Sequence, residues 1–317
     1  MSAQALSSRA IIGEFFKALE QDTGASWIDA LSMLFTSDQD GEDYKWLGQT
    51  PVMREWIGGR NAKGFRDNGI RIDNLHFEAT LEVLTKDLRR DKTGQVMVRI
   101  RELAQRTNAH WASLLSALII NGESTVAYDG QFFFDTDHSE GDSGVQSNDI
   151  SIDISTLPTK VHGILANPSV EEMQLTILKG IQQIFGFKDD VGEPMNENAT
   201  RFAVMGPVSL MHTIEAAVTN PLIAAGASQT SMRPAMDRLT IESAINPRLP
   251  WTDKIAVFRT DGSVSPFIRQ QETTVQIKAK AEGSEFEFDN DAHQYGVDAW
   301  RNVGYGYWQH ACLATMI

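Results

Sequence analysis

QVMVRIRELAQRTNAHWASLLSALIING, Gln95 to Gly122, is the stretch on which the architecture turns. Positions Val96, Ile100, Leu103, Thr107, Trp111, Leu114 and Leu118 recur every three or four residues, and Leu115 and Ile119 widen the stripe. That period predicts an amphipathic helix, and Asn121-Gly122 supplies its C-terminal stop. At a rise of ~1.5 Å per residue the helix is about 38 Å long, beyond the three to four turns of an ordinary globular helix.

Immediately upstream lies YKWLGQTPVMREWIGGRNAKGFRDNG, Tyr44 to Gly69, punctuated by glycines and a proline. IRIDNLHFEATLEVL follows, alternating at Ile70, Ile72, Leu75, Phe77, Leu81 and Val83, with one slip near Asn74. That is the period of a half-buried strand. Together they predict a hairpin-like excursion from Val52 to Leu84 with a basic, glycine-rich turn region, GGRNAKGFRDNG. Such a projection has few local apolar partners, so it is expected either to move or to be covered from outside. A long helix after a long hairpin predicts an elongated molecule.

The remaining elements read as follows. Ala5 to Leu19 and Trp27 to Leu34 are predicted helices, and Ser37 to Tyr44 a loop. In YDGQFFFDTDH, Asp129-Gly130 marks a turn and QFFF a short strand; Ser139 to Thr156 reads as an exposed loop. SVEEMQLTILKGIQQIFGF is a helix capped by Ser169, with Glu171 and Glu172 in the first turn and Gly186 at its end. RFAVMGP is a buried strand, PVSLMHTIEAAVTNP a helix bounded by Pro207 and Pro221, and RLTIESAINPRL and KIAVFRTD two more strands. This order predicts a compact α/β unit from Asn167 to Gln271. The tail from Thr273 to Ile317 is predicted strand-rich, with TVQIKAKA and EFEFDND both alternating.

Composition narrows the function. The chain has 317 residues, 42% of them apolar and 22% charged, which fits a globular protein of two or three subdomains and excludes wholesale disorder. No apolar run reaches the roughly 18 residues of a membrane span, and the N-terminal stretch has no signal-peptide core. A single cysteine, Cys312, excludes an intrachain disulfide and is expected in a cytosolic context. The net charge of −14 argues against a nucleic-acid gripping role. Its distribution is uneven. Arg54 to Arg106 holds twelve Lys/Arg against eight Asp/Glu, whereas Asp129 to Asp153 holds seven acids and Glu282 to Asp298 six, neither with a Lys or Arg. Two readings stay open: solvated faces, or copies of the chain meeting basic segment to acidic segment.

Candidate catalytic chemistry is thin. Asp135, Asp137 and His138 form a D-x-D-H set, and Asp289, Asp291 and His293 a D-x-D-x-H set, which together would suit a metal-dependent hydrolase. The calcium-loop pattern is incomplete, and a solvated acidic turn is the simpler account of the first. Cys312 lies in an apolar stretch with His310 nearby and no third partner, which predicts an inert thiol. No phosphate-binding glycine loop and no G-x-S-x-G occurs. Trp46, Trp56, Trp300 and Trp308 have the chemistry to stack on bases, but the last two lie in the acid-rich tail.

The order of a projecting basic hairpin, a long helix, an α/β unit and a returning strand region resembles the α+β fold of tailed-bacteriophage major capsid proteins, the Johnson fold. YKWLGQTPVMREWIGGR, NGESTVAYDGQFFFDTDH and the aromatic C-terminal strand resemble the major head subunit of Mu-like phages and prophages. The resemblance implies an N-terminal arm over residues 1–43 and an extended loop over 44–92. A spine helix and peripheral domain follow over 93–166, then an axial domain over 167–271 and C-terminal strands returning to the peripheral domain over 272–317. It implies no catalytic residue, cofactor or metal. It implies self-assembly into hexamers and pentamers of an icosahedral head that matures from a procapsid and encloses double-stranded DNA without sequence-specific binding. Partners are a scaffolding protein, inferred to be separate because some ninety residues precede the spine helix, a portal and a decoration protein; no membrane is involved. The location is the virion capsid, assembled in the bacterial host cytoplasm. Inter-subunit contacts are expected from Trp46, Met53, Arg54, Trp56, Arg60, Lys63, Arg66 and Arg71. A bacterial nanocompartment shell of the same fold is the alternative, and the hydrolase a more distant one.

Overall fold

A computed structural model describes residues 7–21, 24–45, 47, 69–91, 94–156, 164–219 and 239–317. The chain opens with α1 (Ser8–Gln21) and α2 (Trp27–Leu31), then β1 (Ser32–Thr36), β2 (Gly41–Tyr44), β3 (Ile70–Asp73), β4 (Leu75–Leu84) and α3 (Thr85–Arg90). The long helix α4 spans Gln95–Ile120. After it come β5 (His138–Ser139), β6 (Val145–Gln146), β7 (Asp149–Ile152), α5 (Val170–Gly186), β8 (Arg201–Gly206), α6 (Met211–Thr219), β9 (Thr240–Ile245) and β10 (Lys254–Arg259). The last part holds β11 (Phe267–Gln271), β12 (Gln276–Lys280), α7 (Glu285–Asn290), β13 (Ala292–Tyr305) and β14 (Ala311–Met316).

Two sheets organise these elements. One runs β1-β11-β13-β12, with β4 paired to β13 along ten residues, from Ala292 opposite Leu84 to Arg301 opposite Leu75. The other runs β7-β14-β10-β8-β9. The C-terminal strand β14 pairs with β10 and β7 in this second sheet, whereas β11 pairs with β1 and β13 in the first. Sheet membership therefore crosses the expected divisions at residues 166 and 271. The β14–β7 and β11–β1 pairings join residues 164 and 235 positions apart, which local pattern cannot reveal.

α4 ties two cores together. Its first half buries Val96, Ile100 and Ala104 against Ile11 and Phe15 of α1 and Val83, Tyr295 and Val297 of the β4–β13 pair. Its second half buries Leu115 and Ile119 in the main core with Phe133, Val257, Phe267, Tyr305 and Trp308. Gly122 ends the helix where Phe134 crosses; a Cβ there would sit 2.5 Å from the Phe134 ring. α5 begins with a complete capping box, Ser169 Oγ accepting from Glu172 N while the Glu172 carboxylate accepts from Ser169 N at 2.5 Å.

Several local expectations change. The predicted helix from Trp27 stops at Leu31, because the chain from Ser32 pairs in parallel with β11. The predicted loop before Tyr44 contains β2, paired to β3. EFEFDND is helical: Ser284 Oγ accepts from Glu287 N and Asp291 closes the turn with φ 48. Its alternation is incidental in so short a segment. QFFF makes only an isolated bridge, Val126 to Phe132, and Phe133 and Phe134 both turn into the core.

Candidate inter-subunit site

Of the residues expected to touch a second copy, Trp46, Met53, Arg54, Trp56, Arg60, Lys63 and Arg66 lie outside the described residues. Arg71 lies on β3. Its Nε donates to Asp73 Oδ1 at 2.8 Å and its Nη1 is 3.8 Å from Asp43 Oδ1. The hydrogen bond and charge of Asp73 raise its already high pKa. The guanidinium is half exposed.

The stem below those residues is firmly anchored. β2 and β3 pair from Gly41 with Asp73 to Tyr44 with Ile70. Tyr44 OH donates to Gln270 Oε1 at 2.8 Å, and Gln270 Nε2 donates to Ile72 O and Asn74 Oδ1, both at 2.9 Å. Burial, aided by Glu42, pushes the Tyr44 phenol up to about 12. Asn74, the slip in the strand pattern, donates to Ser37 Oγ and Gln39 O, which turns the chain from β3 into β4.

The ribbon of β4, β12 and β13 has two unlike faces. Side chains alternate, so Val83, Tyr295, Val297 and Ala299 are buried toward α1 and α4. The outer face carries Glu78, Asp298, His76 and Trp300; the His76 and Trp300 rings stack at 4.5 Å. Asp298 lies 3.2 Å from Lys278 and 3.7 Å from His76. Beside the ribbon, Phe288 on α7 is 91% exposed. α1 is latched to this region: Ser8 N donates to Glu282 Oε1 at 2.9 Å, Ser8 Oγ donates to the same carboxylate, and Tyr295 OH is 3.0 Å from Ser8 Oγ. The hydrogen bond from Ser8 lowers the Glu282 pKa, and the one from His293 lowers that of Glu287.

The two acidic sets behave as structure. His138 is buried, with Nδ1 2.6 Å from Asp129 Oδ2, Nε2 3.2 Å from Asn148 Oδ1, and its ring stacked 3.9 Å from that of Trp308. Asn148 Nδ2 donates to Phe133 O at 2.7 Å, which pins the FFFDTDH turn to the core. Asp135 is taken by the backbone N–H groups of Phe132 and Thr136. His293 Nε2 is 2.8 Å from Glu287 Oε1, and Asp291 is 3.9 Å from Arg89. Among the described residues no three of these side-chain types converge on one point. Burial pushes the Cys312 thiol far up, and His310 Nδ1 faces Val264 O at 2.7 Å, so the pair makes no activated nucleophile.

Sequence reasoning passed over a second polar locus. Trp111 on α4 lies between two arginines, with Arg301 Cζ 4.9 Å and Arg269 Cζ 5.7 Å from its ring. The available signal was parity: Arg301 shares the inward register of Tyr295, Val297 and Ala299 on β13.

The architecture is that of the capsid subunits of tailed phages. Over 98% of this chain it superposes on 76% of a chain in the procapsid of bacteriophage JBD30, with a TM-score of 0.54 at 21% identity. It also superposes on 92% of a chain from the capsid of cyanophage P-SCSP1u, with a TM-score of 0.55 at 9% identity over the whole of this chain. The model of the family described as Mu-like prophage major head subunit gpT matches residues 6–156 and 251–316, and the chain belongs to that family. The Mu-like prophage FluMu major head subunit of Haemophilus influenzae is 36% identical over 98 residues, 31% of this chain and 32% of that one. The major capsid protein of Escherichia phage Mu is 29% identical over 113 residues, 36% of this chain and 37% of that one. These matches span about a third of the length of either relative.

Proposed function

We propose that the chain is the shell-forming subunit of a phage head and has no catalytic step. The observation that carries the reading is family membership over residues 6–156 and 251–316. In this reading copies assemble into hexamers and pentamers around double-stranded DNA, and the closed particle is the virion capsid, built in the host cytoplasm. Scaffolding, portal and decoration proteins complete the head. The sheet β7-β14-β10-β8-β9 with α5 and α6 forms the body of the axial domain, and the ribbon of β4, β12 and β13 with α4 that of the peripheral domain.

The physical mechanism is closure by many weak joints. The segment 46–68, with Trp46, Met53, Trp56 and Ile57, brings apolar surface to a neighbour, worth ~25 cal/mol per Å² before the cost of association. Arg54, Arg60, Lys63, Arg66 and Arg71 face acids of the neighbour, each exposed pair adding only ~0.2–1 kcal/mol. Contacts this weak let misplaced subunits leave while the total over a shell remains large. An acidic inner face lets packaged DNA slide without sticking.

Electron microscopy of the full chain expressed with its scaffolding protein tests this. Closed shells are the expected product. A purely monomeric protein under all such conditions would refute it, and shells filled with enzyme instead of nucleic acid would favour the nanocompartment reading.

A further inference from the structure

The two arginines flanking Trp111 differ in one respect. Arg269 Nη2 donates to Asp29 Oδ1 at 2.6 Å, so its charge is met within the chain. Arg301 is 4% exposed, yet among the described residues its one hydrogen bond runs from Nη2 to Thr107 O at 3.0 Å and it has no carboxylate partner; its Nε, like that of Arg269, meets no acceptor. A buried guanidinium without a carboxylate is costly, because it has lost its water and gained no counter-charge. Beside it His110 Nδ1 is also buried, with no hydrogen-bond partner among the described residues. Both groups line a cavity of about 150 Å³ between α4 and the β4–β13 pair, together with Phe77, Leu103 and exposed Arg106. Glu78 and Asp298 border the same cavity, but strand alternation sends their side chains to the outer face, where Asp298 meets Lys278 and His76. What points into the cavity from the strands, Phe77, Ala79, Val297 and Ala299, is apolar apart from Arg301.

We propose that this cavity is a binding site for a single carboxylate, gripped by the fork of Arg301 with Arg106 and His110 beside it. The volume equals about five waters at ~30 Å³ each, enough for a carboxylate and too small for a nucleotide or a drug-sized ligand. Across the Trp111 ring, Arg269 takes a carboxylate, the exposed Asp29, through one hydrogen bond at 2.6 Å, and a guanidinium can meet a carboxylate with two parallel hydrogen bonds. The carboxylate arrives either as an Asp or Glu side chain of a second copy or as a small free acid. Only the first source rests on the shell reading.

Histidine NMR on the full-length protein separates the sources, with sodium formate as the probe against sodium chloride at equal ionic strength. Burial and the nearby Arg301 and Arg248 hold His110 down at about 4; the other charged groups around it are Arg106 on α4, Asp298 on β13 and Glu78 on β4. In the unassembled chain formate is expected to move the His110 titration upward and to raise the unfolding temperature, with chloride doing neither. Arg301→Lys should weaken both effects and Arg301→Met abolish them. If either variant fails to fold, exposed Arg106→Gln should still weaken formate binding. In assembled particles without formate, a His110 titration already raised assigns the carboxylate to a second copy, and one raised only by added formate assigns it to a free acid. The proposal is overturned if formate and chloride act alike on the unassembled chain and His110 in particles stays near its low value. It is overturned equally if inorganic phosphate matches formate.

Discussion

The two sheets solve the burial problem in opposite ways. In the sheet of β8, β10 and β14 nearly every residue is buried, including Phe202, Val204, Val257, Phe258 and Leu313, and α5 and α6 pack against it. The ribbon of β4, β12 and β13 is covered by α1 and α4 on one face and leaves Trp300 and the α7 residue Phe288 exposed on or beside the other. The strands of the first region are buried within one chain. The ribbon is covered on one face and keeps beneath it a guanidinium with no carboxylate partner among the described residues. On the proposed shell reading, the subunit folds alone and then joins others, and the ribbon is the surface where neighbours arrive.

Substitutions should reproduce that contrast. The largest effect is expected from Trp308→Ala, which empties a fully buried site in the complete region and removes the stack on His138. Chemical denaturation of the unassembled chain should show a loss of about 3–5 kcal/mol. Asn148→Ala should cost about 2–3 kcal/mol, because Phe133 O and Trp308 O lose their donor inside the core.

Next comes a pH limb. Burial alone would raise the Asp261 pKa, but hydrogen bonds from Arg259 and from Thr200 outweigh it and hold the carboxyl down at about 2. A depressed folded pKa means a contribution present above the unfolded value of 3.8 and lost as pH falls toward about 2. Asp261→Asn should flatten stability over that window, read by thermal unfolding across pH. The smallest effect is expected in the ribbon: Ser8→Ala releases the α1 latch to Glu282 at a cost below about 1 kcal/mol. It should raise hydrogen exchange in α1 and leave β8 and β10 unchanged.

How much was legible follows the same contrast. α4 could be read to within a residue, because 26 residues of helical period leave little ambiguity. The Ser169 cap and β8 were equally plain. α7 was misread because six residues of EFEFDN suit either period, and Ser284 with Asp291 decided it. The placement of β14 in the second sheet depends on pairing with β10, which local sequence does not encode. The solvated acidic turn preferred over a metal site for Asp135, Asp137 and His138 misses that His138 is buried, because spacing cannot show that Asp129, Asn148 and backbone N–H groups already claim His138 and Asp135. Arg301 was passed over because an arginine in an aromatic tail gives no hint of burial until the strand register is known.

Hydrogen exchange on the full chain, free and in shells, compares the two regions in one experiment. Amides of β4, β12 and β13 should gain about tenfold or more protection on assembly, while those of β8, β10 and β14 stay as they were. A free chain whose ribbon is already as protected as in the particle, or a chain that never forms particles, would contradict the account.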